Sequence, residues 1–213
     1  MAQTSGARAS FRRFYDYALG LTHAVQERLG EARPVLERAL TAAATDAERA
    51  ATLVLFGRVA GRQGRLTEAL EHLDEAETLL AGHPAIARTR GDAYAQVWQW
   101  AEAAEAYAAA AEVTHGDASL FRDLARARGS AGDDAGALEA AQAGLRFAPR
   151  HPDLLRSQSL AFDALSEDHE GARAAFLAHR RVDEQPELLR RCQRSVPNCD
   201  RDRQPIPELR LTP

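Results

Sequence analysis

With 213 residues, the chain is long enough for one or two ordinary domains; 45% of it is apolar, only 6% aromatic, and its net charge is −4. That mild charge gives no bulk electrostatic case for binding nucleic acid or a membrane surface, and no apolar run reaches the roughly 18 residues of a transmembrane helix. Ala dominates the apolar set, which suits helices in close approach and argues against one thick core. All 27 basic residues are Arg. A GC-rich coding bias accounts for that plainly, yet guanidinium forks grip carboxylates and phosphates through paired bonds as ammonium groups do not.

Residues 1–10 read as a flexible arm that lacks the apolar stretch of a secretory signal. Phe14, Tyr15, Ala18, Leu21, Thr22 and Val25 then recur at helical spacing, and Gly30 closes the run. A second helix carries Pro34 in its first turn and Val35, Leu36, Leu40 and Ala43 on its apolar face. Together, residues 11–49 read as a degenerate N-terminal capping pair. Thr45 and Glu48 have the spacing of a capping box and open the next helix, expected over 46–62, with its mate over 66–80 after a break at Gly64. Pro84 starts the following pair, in which Tyr94 and Tyr107 take the large positions. Trp98 stands where the neighbouring pairs have Gly64 and Gly132, so a differently built turn is expected there. The third pair ends at Pro149, and an imperfect fourth begins at Pro152. After the repeats of 50–185, residues 186–213 read as a short helix and a Pro-rich tail holding Cys192 and Cys199.

The middle of the chain is one unit written three times at a spacing of 34 residues. In segments starting at Ala50, Pro84 and Ala118, the eighth positions are Gly57, Gly91 and Ala125. The twentieth are Ala69, Ala103 and Ala137, and the twenty-seventh Ala76, Ala110 and Gly144. This period with small residues in these columns resembles the tetratricopeptide repeat. The resemblance implies an all-α fold, a right-handed α-solenoid of four to five stacked helix–turn–helix pairs, over residues 46–181. The small columns let paired backbones approach, and Ala106, outside them, is expected on the surface. One 34-residue step back from the first unit puts His23 and Val35 in the signature columns, which are poor matches.

In this family the first helix of each pair lines a concave face through positions 2, 5, 9 and 12. Position 5 is here Val54, Arg88, Arg122 and Arg156; position 9 is Arg58, Asp92, Arg126 and Leu160. The resemblance therefore implies a partner-binding groove containing Arg58, Arg88, Asp92, Arg122, Arg126 and Arg156. Two readings stand side by side. The arginines form a track for an acidic peptide, or they are solvated and neutralised by Asp92, Asp123 and Asp153. The Lys and Asn with which some of these domains clamp a partner's C-terminal carboxylate are absent from the groove columns.

Nothing in the sequence assembles catalytic, metal or cofactor chemistry, so no enzyme is expected. There is no His-Glu-x-x-His, no phosphate-binding Gly loop and no Gly-flanked nucleophilic Ser. His83, His115 and His151 fall at repeat ends, where capping or linker duty explains them. Cys192 and Cys199 are close enough in sequence for a disulfide, but two unrelated thiols or half of a shared zinc site fit the same spacing. As a complete chain the protein reads as cytoplasmic; an extracytoplasmic address stays open if Met1 is not the native start, and the cysteines favour it. The expected function is a non-catalytic scaffold binding a peptide or acidic segment of another protein. The alternatives are an accessory region of a larger extracytoplasmic enzyme or electron-transfer protein, and a self-associating structural unit (a homo-oligomer).

Overall fold

The computed structural model describes residues 2–165, with side chains at Arg12 and from Phe14 onward. The second helix of the fourth copy, the 186–193 helix and the tail with Cys192 and Cys199 lie outside the described residues. Among the described residues there are nine helices and no strand: α1 (Ala2–Val25), α2 (Leu29–Ala42), α3 (Asp46–Arg62), α4 (Leu66–Leu79), α5 (Pro84–Gln96), α6 (Trp100–Val113), α7 (Ala118–Ser130), α8 (Asp134–Phe147) and α9 (Pro152–Leu165). The helical backbone of α1 begins at Ala2, inside the stretch that the sequence reads as an arm.

Each odd-numbered helix up to α7 packs on its successor, and each of those seconds packs on the first helix of the next pair. The arrangement is a tetratricopeptide-like solenoid. Its interior is a chain of small clusters, because one pair can bury its apolar stripe only against the next. Within a pair, column 8 meets column 24: a Cβ on Gly57 would sit 2.8 Å from Leu73 Cγ, and one on Gly91 2.7 Å from the Tyr107 ring. Glycine there makes room for a large side chain on the facing helix. Ala106 is also buried, so the close packing extends beyond the signature columns and that surface assignment is corrected.

The first pair obeys the same packing with a longer step. Gly20, Ala32, Leu36 and Ala39 are buried and lie 37 residues before Gly57, Ala69, Leu73 and Ala76. Gly20 faces Leu36 as Gly57 faces Leu73. A fixed 34-residue step misses this register because the surplus is taken up ahead of column 1 of the next pair. There α3 runs for 17 residues, whereas α5 and α7 have 13. Thr45 caps α3 by accepting from Glu48 N–H, and Glu48 reaches back to Ala44 N–H at 2.7 Å.

All four described hairpin turns are built alike. Their column-15 residues, Glu27, Gly64, Trp98 and Gly132, have φ of 60°, 72°, 66° and 86°. The next residue donates its N–H to the carbonyl five back, as in Arg28 to His23, Arg65 to Ala60, Gln99 to Tyr94 and Asp133 to Arg128. This is the Schellman closure of a helix end. Trp98 thus adopts the left-handed conformation of the glycines, which corrects the expectation of a different turn. A side chain there works against a steric preference of about 1 kcal/mol. Trp98→Gly is expected to stabilise the protein by about 1 kcal/mol, read as a higher urea midpoint. A lower midpoint would mean that the contact of Trp98 with Trp100 outweighs the backbone.

Candidate functional site

The first helices α3, α5, α7 and α9 wall a concave groove of about 1300 Å³, with parts of α6 and α8 in its floor. Every groove residue named from the sequence lines it: Arg58, Arg88, Asp92, Arg122, Arg126 and Arg156. With Arg62, the lining holds six arginines against the four carboxylates of Asp92, Asp123, Asp134 and Asp153. The groove is therefore positive inside a chain whose net charge is −4.

The two alternatives for the arginines divide by residue. Asp123 is only 6% exposed and faces three of them. Its Oδ1 accepts from Arg122 Nη2 at 2.8 Å and Nε at 3.1 Å, and its Oδ2 accepts from Arg88 Nη2 at 3.3 Å. Arg88 Nη1 also donates to Asp117 Oδ2 at 2.8 Å, and Nη2 to Ser119 Oγ at 3.0 Å. Arg88 and Arg122 are thus structural cations. Arg88 bridges a gap, because α5 and α7 scarcely touch, whereas α3 packs on α5 and α7 on α9; Arg122 pairs with its own neighbour on α7.

The other groove arginines keep their forks open. Arg126 is 58% exposed on its side chain and approaches Asp123 no closer than 3.9 Å. Arg58 and Arg156 form no hydrogen bond or ion pair among the described residues, although Arg58 acts at longer range on Asp92. Of the three expected neutralisers, Asp123 alone makes ion pairs with groove arginines here; Asp117, outside the groove columns, is a second.

Sequence reasoning missed Tyr107 as a groove residue. Its ring is buried under α5, and its hydroxyl donates to Asp92 Oδ1 at 2.7 Å. The signal was available as a Tyr in column 24 opposite the column-8 glycine. Burial, followed by the Asp92 carboxylate, pushes the Tyr107 hydroxyl well above its usual pKa, so it remains a donor. Asp92 is open to solvent through the groove mouth, yet the surrounding walls strip much of its hydration. This desolvation raises its pKa despite the Tyr107 bond; Asp123 adds to the rise, and Arg88 and Arg58 oppose it. The folded protein holds that proton more tightly than the unfolded chain does. Ionised Asp92 therefore subtracts from stability at neutral pH, and the loss vanishes as pH falls below the raised value.

Asp117 behaves oppositely. Burial raises its pKa, but hydrogen bonds from Ser119 and Leu120 and the charge of Arg88 outweigh it and hold the carboxyl below the usual range. It also caps α7, fixing that helix start at the edge of the groove.

No protein-family model matches the chain, and no curated protein does. Solved structures do. One described as MamA superposes with a TM-score of 0.67 at 18% identity, covering 83% of this chain and 94% of that one. In fold, this chain is similar to MamA. MamA (MSR-1) gives a TM-score of 0.64 at 21% identity over 81% of this chain and 97% of that one. MamA (AMB-1) gives 0.64 at 21% over 84% and 97%. At such identities the likeness to MamA carries the arrangement of helices and not the groove side chains.

Among the described residues, no three His, Cys, Asp or Glu side chains gather as a metal site would require. His83 caps α5, its Nδ1 accepting from Ala85 N–H at 3.3 Å, and His151 immediately precedes α9. No described helix is long and apolar enough to cross a membrane.

Proposed function

We propose that the protein is a non-catalytic interaction scaffold whose concave groove holds an extended acidic segment of a partner protein. The observation that carries this is the split among the arginines. Arg88 and Arg122 are consumed by Asp117 and Asp123, whereas Arg58, Arg126 and Arg156 leave guanidinium forks open in a groove of net positive lining. Open forks of this kind match carboxylates in pairs of bonds. Charge reversal at Arg88 would undo the α5–α7 junction and at Arg122 would break its pair with buried Asp123, so the test belongs at Arg126 and Arg156.

Labelled peptides of Asp, Glu, Ser and Gly, about ten residues long, would span four helices roughly 9 Å apart. Fluorescence anisotropy should show them binding the wild-type protein, weakening with salt, and binding Arg126→Glu/Arg156→Glu about tenfold less tightly or worse. Equal binding by the double variant, with its helical content intact, would remove the groove from consideration. A second reading, self-association, draws on the exposed Phe14 and Val25 of α1 at the outer end of the stack. Light scattering over a concentration series separates the two.

A further inference from the structure

Resting on that reading, we infer that Trp98 is a docking knob for an apolar side chain flanking the acidic stretch of the partner segment. Three observations converge on this residue. First, it occupies a left-handed turn position at φ 66° where the pairs on either side use Gly64 and Gly132. A bulky residue held against its backbone preference marks a position kept for something other than stability. Second, its indole is 77% exposed, the most open of the large apolar side chains described. A Cβ placed on Gly64 or Gly132 would meet nothing within 4 Å, so the same position is open to solvent in the turns of the neighbouring pairs.

Third, the knob is continuous with the groove. Its ring meets that of Trp100 edge-on at 5.7 Å between centroids, and Trp100 lines the groove with Arg58, Arg126 and Arg156. A segment lying along the arginines at its acidic stretch would bring an adjoining residue over this pair. The occupant follows from the two surfaces together: carboxylates for the positive groove, then an apolar side chain for the indoles. Large aromatic faces with little rotamer freedom are effective anchors at such contacts.

The experiment compares the acidic peptides above with versions extended by Leu-Pro-Leu at either end, against wild type and Trp98→Gly. The chain has two tryptophans, so tryptophan emission reports from this site alone. For wild type, the extension at one end should tighten binding about fivefold and shift the emission to the blue. Trp98→Gly should hold the plain acidic peptide as tightly as wild type and lose the gain. The urea midpoint of this variant, measured beside its binding, separates a lost contact from unfolding. The inference is overturned if the gain persists in Trp98→Gly or is missing at both ends in wild type; either result leaves the acidic groove standing. Failure of every peptide to bind wild type overturns the groove reading, and this inference with it.

Discussion

Tyr107→Ala is expected to destabilise the protein by about 3–5 kcal/mol, measured by urea unfolding followed by circular dichroism. Tyr107 is among the largest fully buried side chains described, and its ring fills the space that Gly91 leaves on α5. Truncation would open a void between α5, α6 and α7. Its buried surroundings include Ala103, Ala110, Leu120 and Leu124, and alanines have no rotamers with which to close a gap. Loss at one interface of a solenoid also uncouples the pairs on either side, so the unfolding curve should broaden or split. Tyr107→Phe is the control. It removes only the bond to Asp92, whose carboxylate can rehydrate through the groove mouth, and should cost about 1 kcal/mol. Equal losses for the two variants would mean that the hydrogen bond, and not the ring, holds α5 to α6.

The parts of this molecule that were legible beforehand are those that repeat in phase. Gly57, Gly91 and Ala125 announce close helix contacts because each returns at the same place in its hairpin, and the same phase puts Arg88, Arg122 and Arg156 along one groove. The first pair was read as two helices, but its register was illegible for the converse reason. Its Gly20, Ala32 and Leu36 keep the packing but not the step, and three residues absorbed by a longer α3 hide them from a fixed period. Trp98 misled because residue type stood in for conformation. The Schellman bonds around it hold a left-handed residue whatever its side chain. Neutralisation by Asp123 was one of the two readings, but which arginines it takes, and the part of Asp117, were out of reach. Arg88 on α5 meets Asp123 on α7 and Asp117 at its N-cap across helices that hardly touch, and a repeat column does not give that distance.

That junction yields the second large effect. Asp123→Ala is expected to destabilise by about 2–3 kcal/mol. Its carboxylate is where Arg88, reaching across the gap from α5, meets Arg122 of α7. Without it, those two cations and Arg126 face one another with no buried counter-charge. Breaking a fully buried pair typically costs about 3–5 kcal/mol. The lower figure applies here because the side chains of Arg88 and Arg122 are 34% and 36% exposed and so partly screened by water. Arg88 also keeps its bond to Asp117. Two signatures distinguish this from an ordinary loss of packing. Added salt should recover part of the stability by screening the repulsion among the arginines, the reverse of what a surface ion pair shows. The folded variant should also bind the acidic peptides more tightly, since one groove carboxylate is gone and Arg122 is released. Arg126→Ala, by contrast, should leave stability within about 0.5 kcal/mol of wild type, because its fork is open and its approach to Asp123 is loose. If Asp123→Ala were as benign as Arg126→Ala, the ionic bridge would not be what links α5 to α7. The division of the groove into structural and recognising arginines would fall with it.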